Sequence, residues 1–397
     1  MFRILSLVLA LGMAAPVASQ QQPVTILLQA AETGNPDAQF QLAERYDAGA
    51  GIPQNFATAA HWFQAAAEQG NSKAQNRLGK YLRAGLGLER NDVLAAGWLA
   101  RAAEDGDPRH LVDLAQMYEQ GIGVPQDYAR TAALYTQASD KGLASAAVSL
   151  GVLYQNGTGV AQDFAKARAL YLAPAQAGDA RAQNNLGLLY TRGNGVAQDY
   201  KLAVEWFSKA ARNGLATAMT NLGVMYENGF GVEQSDEKAA DLYRRRGQNK
   251  AQNLEALLEA TGFIPDLRLI PPDYTKAALN VLQTGARQGD PVAQFLLAYL
   301  LVTGPDARAN YPTAAHWFEG AAKAGLPLAM ANLGLLYYQG LGVPQDFVTG
   351  YMWLTLAATG SPDTLTSLRD ALSQKMTPNQ INEAQTLATA RWQKKYP

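Results

Sequence analysis

The chain of 397 residues contains no cysteine. That excludes disulfide stapling, thiol nucleophiles and a lipid-modified cysteine behind a leader. Histidine is nearly as scarce, with His61, His110 and His316 as the only three. They lie far apart in the sequence, share no metal-ligand spacing, and read as surface positions of helices. No H-E-x-x-H, G-x-S-x-G or P-loop pattern occurs, so the common signatures of zinc hydrolysis, serine hydrolysis and nucleotide binding are missing. Neither sign of charge dominates, with 33 Lys+Arg against 34 Asp+Glu, which leaves no basic stripe for nucleic acid. No cofactor is implied. The apolar run at residues 4–15 is too short for a bilayer, which takes ~20 residues. Placed between Arg3 and Val17-Ala18-Ser19, it has the form of a cleaved secretory signal over residues 1–19. The expected mature chain starts near Gln20, has no transmembrane segment, and is periplasmic or secreted.

What the chain does have is a repeat. Residues 179–214 read as helix, glycine turn, helix. Ala182, Leu186, Leu189 and Tyr190 share one face of the first helix. Gly193 and Gly195 then break it. Asp199 is placed to cap a second helix that buries Ala203, Trp206, Phe207, Ala210 and Ala211, and Gly214 stops that helix. The same pattern begins at Asn35, Asn71, Asp107, Leu143, Asp179, Leu215, Asp290 and Leu326. The first turn glycine recurs as Gly49, Gly85, Gly121, Gly157, Gly193, Gly229, Gly304 and Gly340. With 36 glycines in the chain, a fixed column of eight has a chance probability on the order of 10⁻⁸. The second turn glycine fails only at Asp306. A large apolar column runs through Trp62, Trp98, Leu134, Leu170, Trp206, Leu242, Trp317 and Trp353.

The string LGLLY-x-x-G-x-GV-x-x-D-Y/F-x-x-A-x-x-W-F-x-x-A-A-x-x-G resembles the Sel-one-like repeat, a relative of the tetratricopeptide repeat with a longer inter-helix turn. The resemblance implies an all-α, right-handed α-solenoid superhelix of about nine helix-turn-helix repeats with helical caps. It also implies a scaffold or adaptor that binds a protein or peptide partner on its concave face, and exported bacterial members resemble envelope regulators and scaffolds. The absence of cysteine argues against the cysteine-stapled members.

The expected organisation after the signal is a capping helix at 20–34, six repeats at 35–250, a degenerate unit at 251–289, two repeats at 290–361 and a helical cap at 362–397. Several irregularities stand out. Pro174 lies inside a second helix, which should kink or end near Ala173. The degenerate unit puts a helix at 253–261, a proline-bearing loop at 262–273, and a helix from Tyr274 that carries Val281 in the tryptophan column. In the capping helix Ile26 holds that column. Arg244-Arg245-Arg246 reads as a solvated helix end.

Candidate partner-binding residues fall on the face lined by the first helices. Asn185, Asn221 and Asn332 recur just before a buried leucine, and a side-chain amide offers one donor and one acceptor edge to an extended peptide. A structural amide bonded to the adjacent turn is the alternative. Tyr299, Tyr338 and Phe230 are aromatic where the other repeats are not. Phe263 and Leu267 make the loop at 262–273 more apolar than a solvated connector requires; that loop either meets a partner or folds back over the missing turn. No catalytic residue is identified. Ser235-Asp236-Glu237-Lys238 has the S-x-x-K form of penicillin-recognising enzymes, but S-D-N and K-T-G are absent and Ser235 stands in the N-cap column. An envelope hydrolase acting on peptidoglycan or a β-lactam, or a glycan-binding solenoid, remains as the alternative to a non-catalytic scaffold.

Overall fold

Each period of the sequence carries its own helix starts and stops, and the computed structural model follows them. It describes residues 23–248, 262–265, 276–303, 307–359 and 363–395. The capping helix α1 (Val24–Glu32) precedes six helix pairs. These are α2 (Pro36–Ala48) with α3 (Phe56–Glu68), α4 (Ser72–Ala84) with α5 (Asp92–Ala103), and α6 (Pro108–Gln120) with α7 (Tyr128–Asp140). They continue as α8 (Ala144–Asn156) with α9 (Phe164–Gln176), α10 (Ala180–Arg192) with α11 (Tyr200–Arg212), and α12 (Ala216–Asn228) with α13 (Asp236–Gln248). Helix α14 (Lys276–Arg287) leads into α15 (Pro291–Thr303) with α16 (Ala307–Ala324), and α17 (Pro327–Gln339) with α18 (Phe347–Ala358). The chain closes with α19 (Asp363–Ser373) and α20 (Pro378–Lys395). Among the described residues there is no strand. The architecture is the expected all-α solenoid.

The two turn glycines do different work. Gly193 ends α10 at φ +70°, where its N–H reaches the carbonyl of Leu189, the usual left-handed stop. Gly195 serves the neighbouring repeat. A Cβ there would sit 2.9 Å from the backbone carbonyl carbon of Phe164, the first residue of α9. Gly231 meets Tyr200, the first residue of α11, at 2.4 Å in the same way. The second glycine is thus a contact between successive repeats. Asp306, which breaks that column, lies outside the described residues. A glutamine before the cap completes most of the turns: Gln198 Nε2 donates to the Thr191 carbonyl at 2.8 Å, and Gln54, Gln126, Gln162, Gln234 and Gln345 repeat the bond, while Arg90 holds that place in the second repeat.

The core is deepest one residue beyond the tryptophan column. Phe63, Leu99, Tyr135, Tyr171, Phe207, Phe318 and Leu354 are all essentially inaccessible. Trp206 itself is buried, but Trp62, Trp98 and Trp317 are half-buried. This corrects two sequence expectations. Val281 is 72% exposed and Ile26 52% exposed, while the following residues, Leu282 and Leu27, are buried. The tryptophan column is the shallower of the two, and at Trp206 and Trp98 it is covered by a cation, Lys209 at 4.2 Å and Arg101 at 4.8 Å. First helices make room for the deep column with glycine: a Cβ on Gly187 would fall 2.6 Å from the Phe207 ring.

Three further expectations change. Helix α9 does not end near Ala173; it runs through a buried Pro174 to Gln176, and the carbonyl of Pro174 accepts from Asp179 N–H at 2.9 Å. His110 is buried rather than at the surface, in a column that is alanine in the other repeats, because its Nδ1 finds the Asp105 carboxylate at 3.2 Å. Helix α16 starts at Ala307, ahead of the cap position the pattern marks, with Pro312 inside it. The helix expected at 253–261 lies outside the described residues.

The ends of the array meet. In the turn of the first repeat, Gln54 Oε1 accepts from the Tyr351 hydroxyl of α18 at 2.7 Å and from Gln385 Nε2 of α20 at 3.2 Å. Gln385 Oε1 accepts from the Phe56 N–H at 2.8 Å, and Asn55 Nδ2 donates to Thr389 Oγ1 at 2.9 Å. Arg369 of α19, itself buried, donates to the Ala48 carbonyl at 3.3 Å. Gln54, Tyr351 and Gln385 are all buried. The solenoid is clasped into a ring.

Candidate functional site

The first helices stand side by side and turn one stripe away from the core. In α10 that stripe is Arg181, Asn185, Leu188 and Arg192, none of them buried, at the i, i+4, i+7 and i+11 spacing of one helical face. Successive repeats touch across it. Asn221 Nδ2 donates to Asn184 Oδ1 at 2.8 Å, and Asn76 Nδ2 donates to Asp113 Oδ2 at 2.8 Å. Asn184, buried beside Asn185, escaped the sequence reading because its column varies from repeat to repeat. Its signal was the doubled Asn184-Asn185, one amide for the repeat contact and one for the surface.

The face changes character along the array. In the first three repeats it is ionic. Asp47 pairs with Arg77 and accepts from the Tyr81 hydroxyl at 2.5 Å. Burial, then the Asp47 charge, hold the Tyr81 phenol far above its ordinary value. Lys80 pairs with Asp113 at 2.7 Å. Burial raises the Glu44 carboxyl, and Arg77 only partly offsets that. In the middle the face opens into a groove of about 330 Å³ between α8, α10 and the start of α12, lined by Val148, Val152, Arg181, Asn184, Asn185 and Thr217. Toward the carboxyl end it turns apolar through Val292, Leu296, Tyr299 and Leu328.

That apolar end is occupied. Phe263 and Ile264 pack against the core around α15–α18, with the Phe263 ring 6.1 Å from that of Tyr311. Asn332, wholly buried, grips the backbone of Ile264 from both sides. Its Oδ1 accepts the Ile264 N–H at 2.8 Å, and its Nδ2 donates to the Ile264 carbonyl at 2.9 Å. For Phe263 and Ile264 the segment folds back onto its own array. Leu267 lies outside the described residues.

The remaining candidates scatter. Tyr299 is half-buried with its ring 6.3 Å from Phe295, and Tyr338 is half-buried with its ring 5.4 Å from Phe347. Phe230 is exposed and stacks on Tyr200 at 5.1 Å. Asn185 lies within reach of the Tyr171 hydroxyl. Ser235 caps α13, its Oγ accepting the Lys238 N–H at 3.3 Å. Among the described residues no cluster of His, Asp and Glu is arranged to hold a metal ion, and no helix is long and apolar enough to cross a membrane.

Known proteins give the same architecture. The model of the Sel1 repeat matches residues 36–71, 72–107, 111–143, 144–179, 180–215, 216–245, 291–326 and 327–361. The chain is similar in structure to c5321, a protective antigen present in uropathogenic Escherichia coli strains and displaying an SLR fold, with 28% identity, a TM-score of 0.51, and coverage of 93% of this chain and 86% of that one. It is also similar to a Sel1 repeat protein from Oxalobacter formigenes, at 29% identity and TM-score 0.51, over 56% of this chain and 96% of that one. No curated protein sequence matches. Sel1-repeat solenoids generally serve as protein–protein interaction scaffolds and are typically not enzymes. With eight matched repeats spread over most of its length, the chain belongs to the Sel1-repeat family.

Proposed function

We propose that the protein is a non-catalytic scaffold of the bacterial cell envelope that receives an extended segment of a partner protein on its first-helix face. One observation carries this reading. Asn332 holds the Ile264 backbone through both its donor and its acceptor, which is how a side-chain amide reads a peptide without regard to its side chains. Asn185 and Asn221 stand at the equivalent position in two adjacent repeats, beside the groove lined by Val148, Val152 and Arg181. Among the described residues the Oδ1 of Asn221 has no protein donor, so that amide keeps an open acceptor. Residues 1–19 support the envelope location, since their charged start, short apolar run and small-residue site have the form of an export signal.

Peptides selected from a random displayed library on the full chain test the face directly. Binding of selected extended peptides should weaken about tenfold or more in Asn185→Ala and Asn221→Ala, since a lost hydrogen-bond pair costs ~1–3 kcal/mol. Unchanged affinity in both folded variants would remove the asparagines from the reading. Cell fractionation with N-terminal sequencing tests the location; a full-length chain in the cytoplasm would overturn it.

A further inference from the structure

We propose that a second site, beneath the last helix, binds a small amphiphilic carboxylate. A cavity of about 510 Å³ opens where the end of α16, the start of α17 and the outer side of α18 meet α20. Its walls are apolar, with Met330, Trp353, Leu356 and Trp392 among them, and its rim carries Lys323, Arg391 and Lys394. No acidic residue lines it. The size falls in the range of small-molecule pockets, ~300–1,000 Å³.

The rim departs from the repeat pattern. At Trp98 and Trp206 the stacked cation comes from the same helix three residues on, as Arg101 and Lys209. At Trp353 that position is Leu356, an apolar wall of the cavity. The cation arrives instead from α20: the Arg391 guanidinium lies 4.7 Å from the Trp353 ring centroid. Arg391 covers a ring that is itself buried, so the accessible apolar lining of the cavity is chiefly Met330 and Trp392, both half-buried. Lys323 is partly neutralised by Glu319 at 2.7 Å. Among the described residues, Arg391 and Lys394 have no carboxylate partner.

Two uncompensated cations at the mouth of a pocket walled by tryptophan, methionine and leucine define a ligand with one anionic end and an apolar body. A carboxylate suits the paired donors, because charge-assisted bonds from guanidinium and ammonium to carboxylate are the strong ones. The apolar body supplies burial against Met330 and Trp392. The chemical class is a medium-chain or arylalkyl carboxylate.

The test titrates the full chain with decanoate below its micellar concentration, read by calorimetry and tryptophan fluorescence, with decanol and decyltrimethylammonium as matched probes. Saturable one-to-one binding of decanoate is expected, at least tenfold tighter than decanol, with no binding of the cation. Arg391→Gln with Lys394→Gln should weaken decanoate at least tenfold and leave decanol unchanged. Met330→Trp should fill the space and abolish both. Lys394→Glu, at an exposed position, gives the charge readout should Arg391→Gln disturb folding. Equal affinity for decanol and decanoate, partitioning without saturation, or undiminished decanoate binding in the folded charge variants would each overturn the proposal.

Discussion

The amide of Phe56 is a single-atom reporter of the closed ring. Phe56 is the first residue of α3, and the first amides of a helix have no intrahelical acceptor. Asp92, Tyr128, Phe164, Tyr200 and Phe347 hold the same place in other repeats, and among the described residues their amides have no protein acceptor. The Phe56 N–H instead donates to Gln385 Oε1 at 2.8 Å, from the opposite end of the chain. Besides that bond, the clasp contains Tyr351 to Gln54, Gln385 Nε2 to Gln54, Asn55 to Thr389 and Arg369 to Ala48. Five such bonds at ~1 kcal/mol net each give ~5 kcal/mol, so Phe56 should exchange its amide hydrogen ~10³–10⁴ times more slowly than Tyr200. Gln54→Ala strands two buried donors, the Tyr351 hydroxyl and Gln385 Nε2. Each orphan costs ~1–3 kcal/mol, enough to cancel the closure. Residue-resolved hydrogen exchange should then show Phe56 at the Tyr200 rate in both Gln54→Ala and Gln385→Ala, with core amides of α10 and α11 unchanged. A Phe56 amide that exchanges as fast as Tyr200 in the wild-type chain, or stays protected in Gln54→Ala, refutes the closed ring.

Three other outcomes follow from the packing. Gly187→Ala should destabilise by ~1–3 kcal/mol in denaturant titration, since its Cβ meets Phe207 at 2.6 Å; Gly97→Ala, with nothing within 4 Å, should stabilise by ~0.5–1 kcal/mol. Trp206→Ala should cost ~3–5 kcal/mol and raise hydrogen exchange mainly between residues 179 and 242, because repeats couple to neighbours. Burial pushes the Tyr351 phenol up to about 12, against ~10 in the unfolded chain. A raised folded value means this contribution is fully present below pH ~10 and is lost as pH rises through ~12, by at most ~3 kcal/mol; alkaline denaturant titrations should show that loss, and Tyr351→Phe should remove it.

The repeat was legible because glycine, alanine and cap positions answer to local backbone geometry, which a sequence states directly. Gly193 and Asp199 act where the pattern puts them. The depth of a column was less legible. Tryptophan is the largest residue of the second helix, yet Phe207 lies deeper than Trp206, because a half-buried ring can pair its face with a cation while a phenyl ring needs a dry pocket. Val281 and Ile26 misled because they hold the same shallower column, one residue before the buried Leu282 and Leu27. The clasp was illegible, since Gln54 and Gln385 look like solvent-facing polar residues until two distant segments meet. Arg369 held the one sequence signal, a charge placed next to Leu368 in a helix whose leucines are all buried. Asn332 fell between the alternatives: it reads a peptide backbone, but that of its own chain.

The clasp and the covalent chain depend on each other, and that dependence is measurable. Terminal repeats of a solenoid ordinarily present a polar outer face to water. Here the face of α20 around Gln385 and Thr389 meets the turn of the first repeat through hydrogen bonds, with Phe56 packed against the C-terminal core beside them. Within one chain the ~5 kcal/mol clasp is a closure constant of ~10³–10⁴. Residues 249–261 join the two blocks covalently, which gives an effective concentration of about millimolar. Dividing that concentration by the closure constant gives a dissociation constant of roughly micromolar or somewhat below for the severed halves. A protease site introduced within 251–261 and then cut should therefore leave residues 23–248 and 262–395 associated at about 10-fold above micromolar and separated at about 100-fold below it. Phe56 protection should vanish with separation. Gln54→Ala should separate the halves at both concentrations, while Gly97→Ala should not change the midpoint. Halves that stay together in Gln54→Ala at the lower concentration would show that the blocks are joined by contacts other than the clasp.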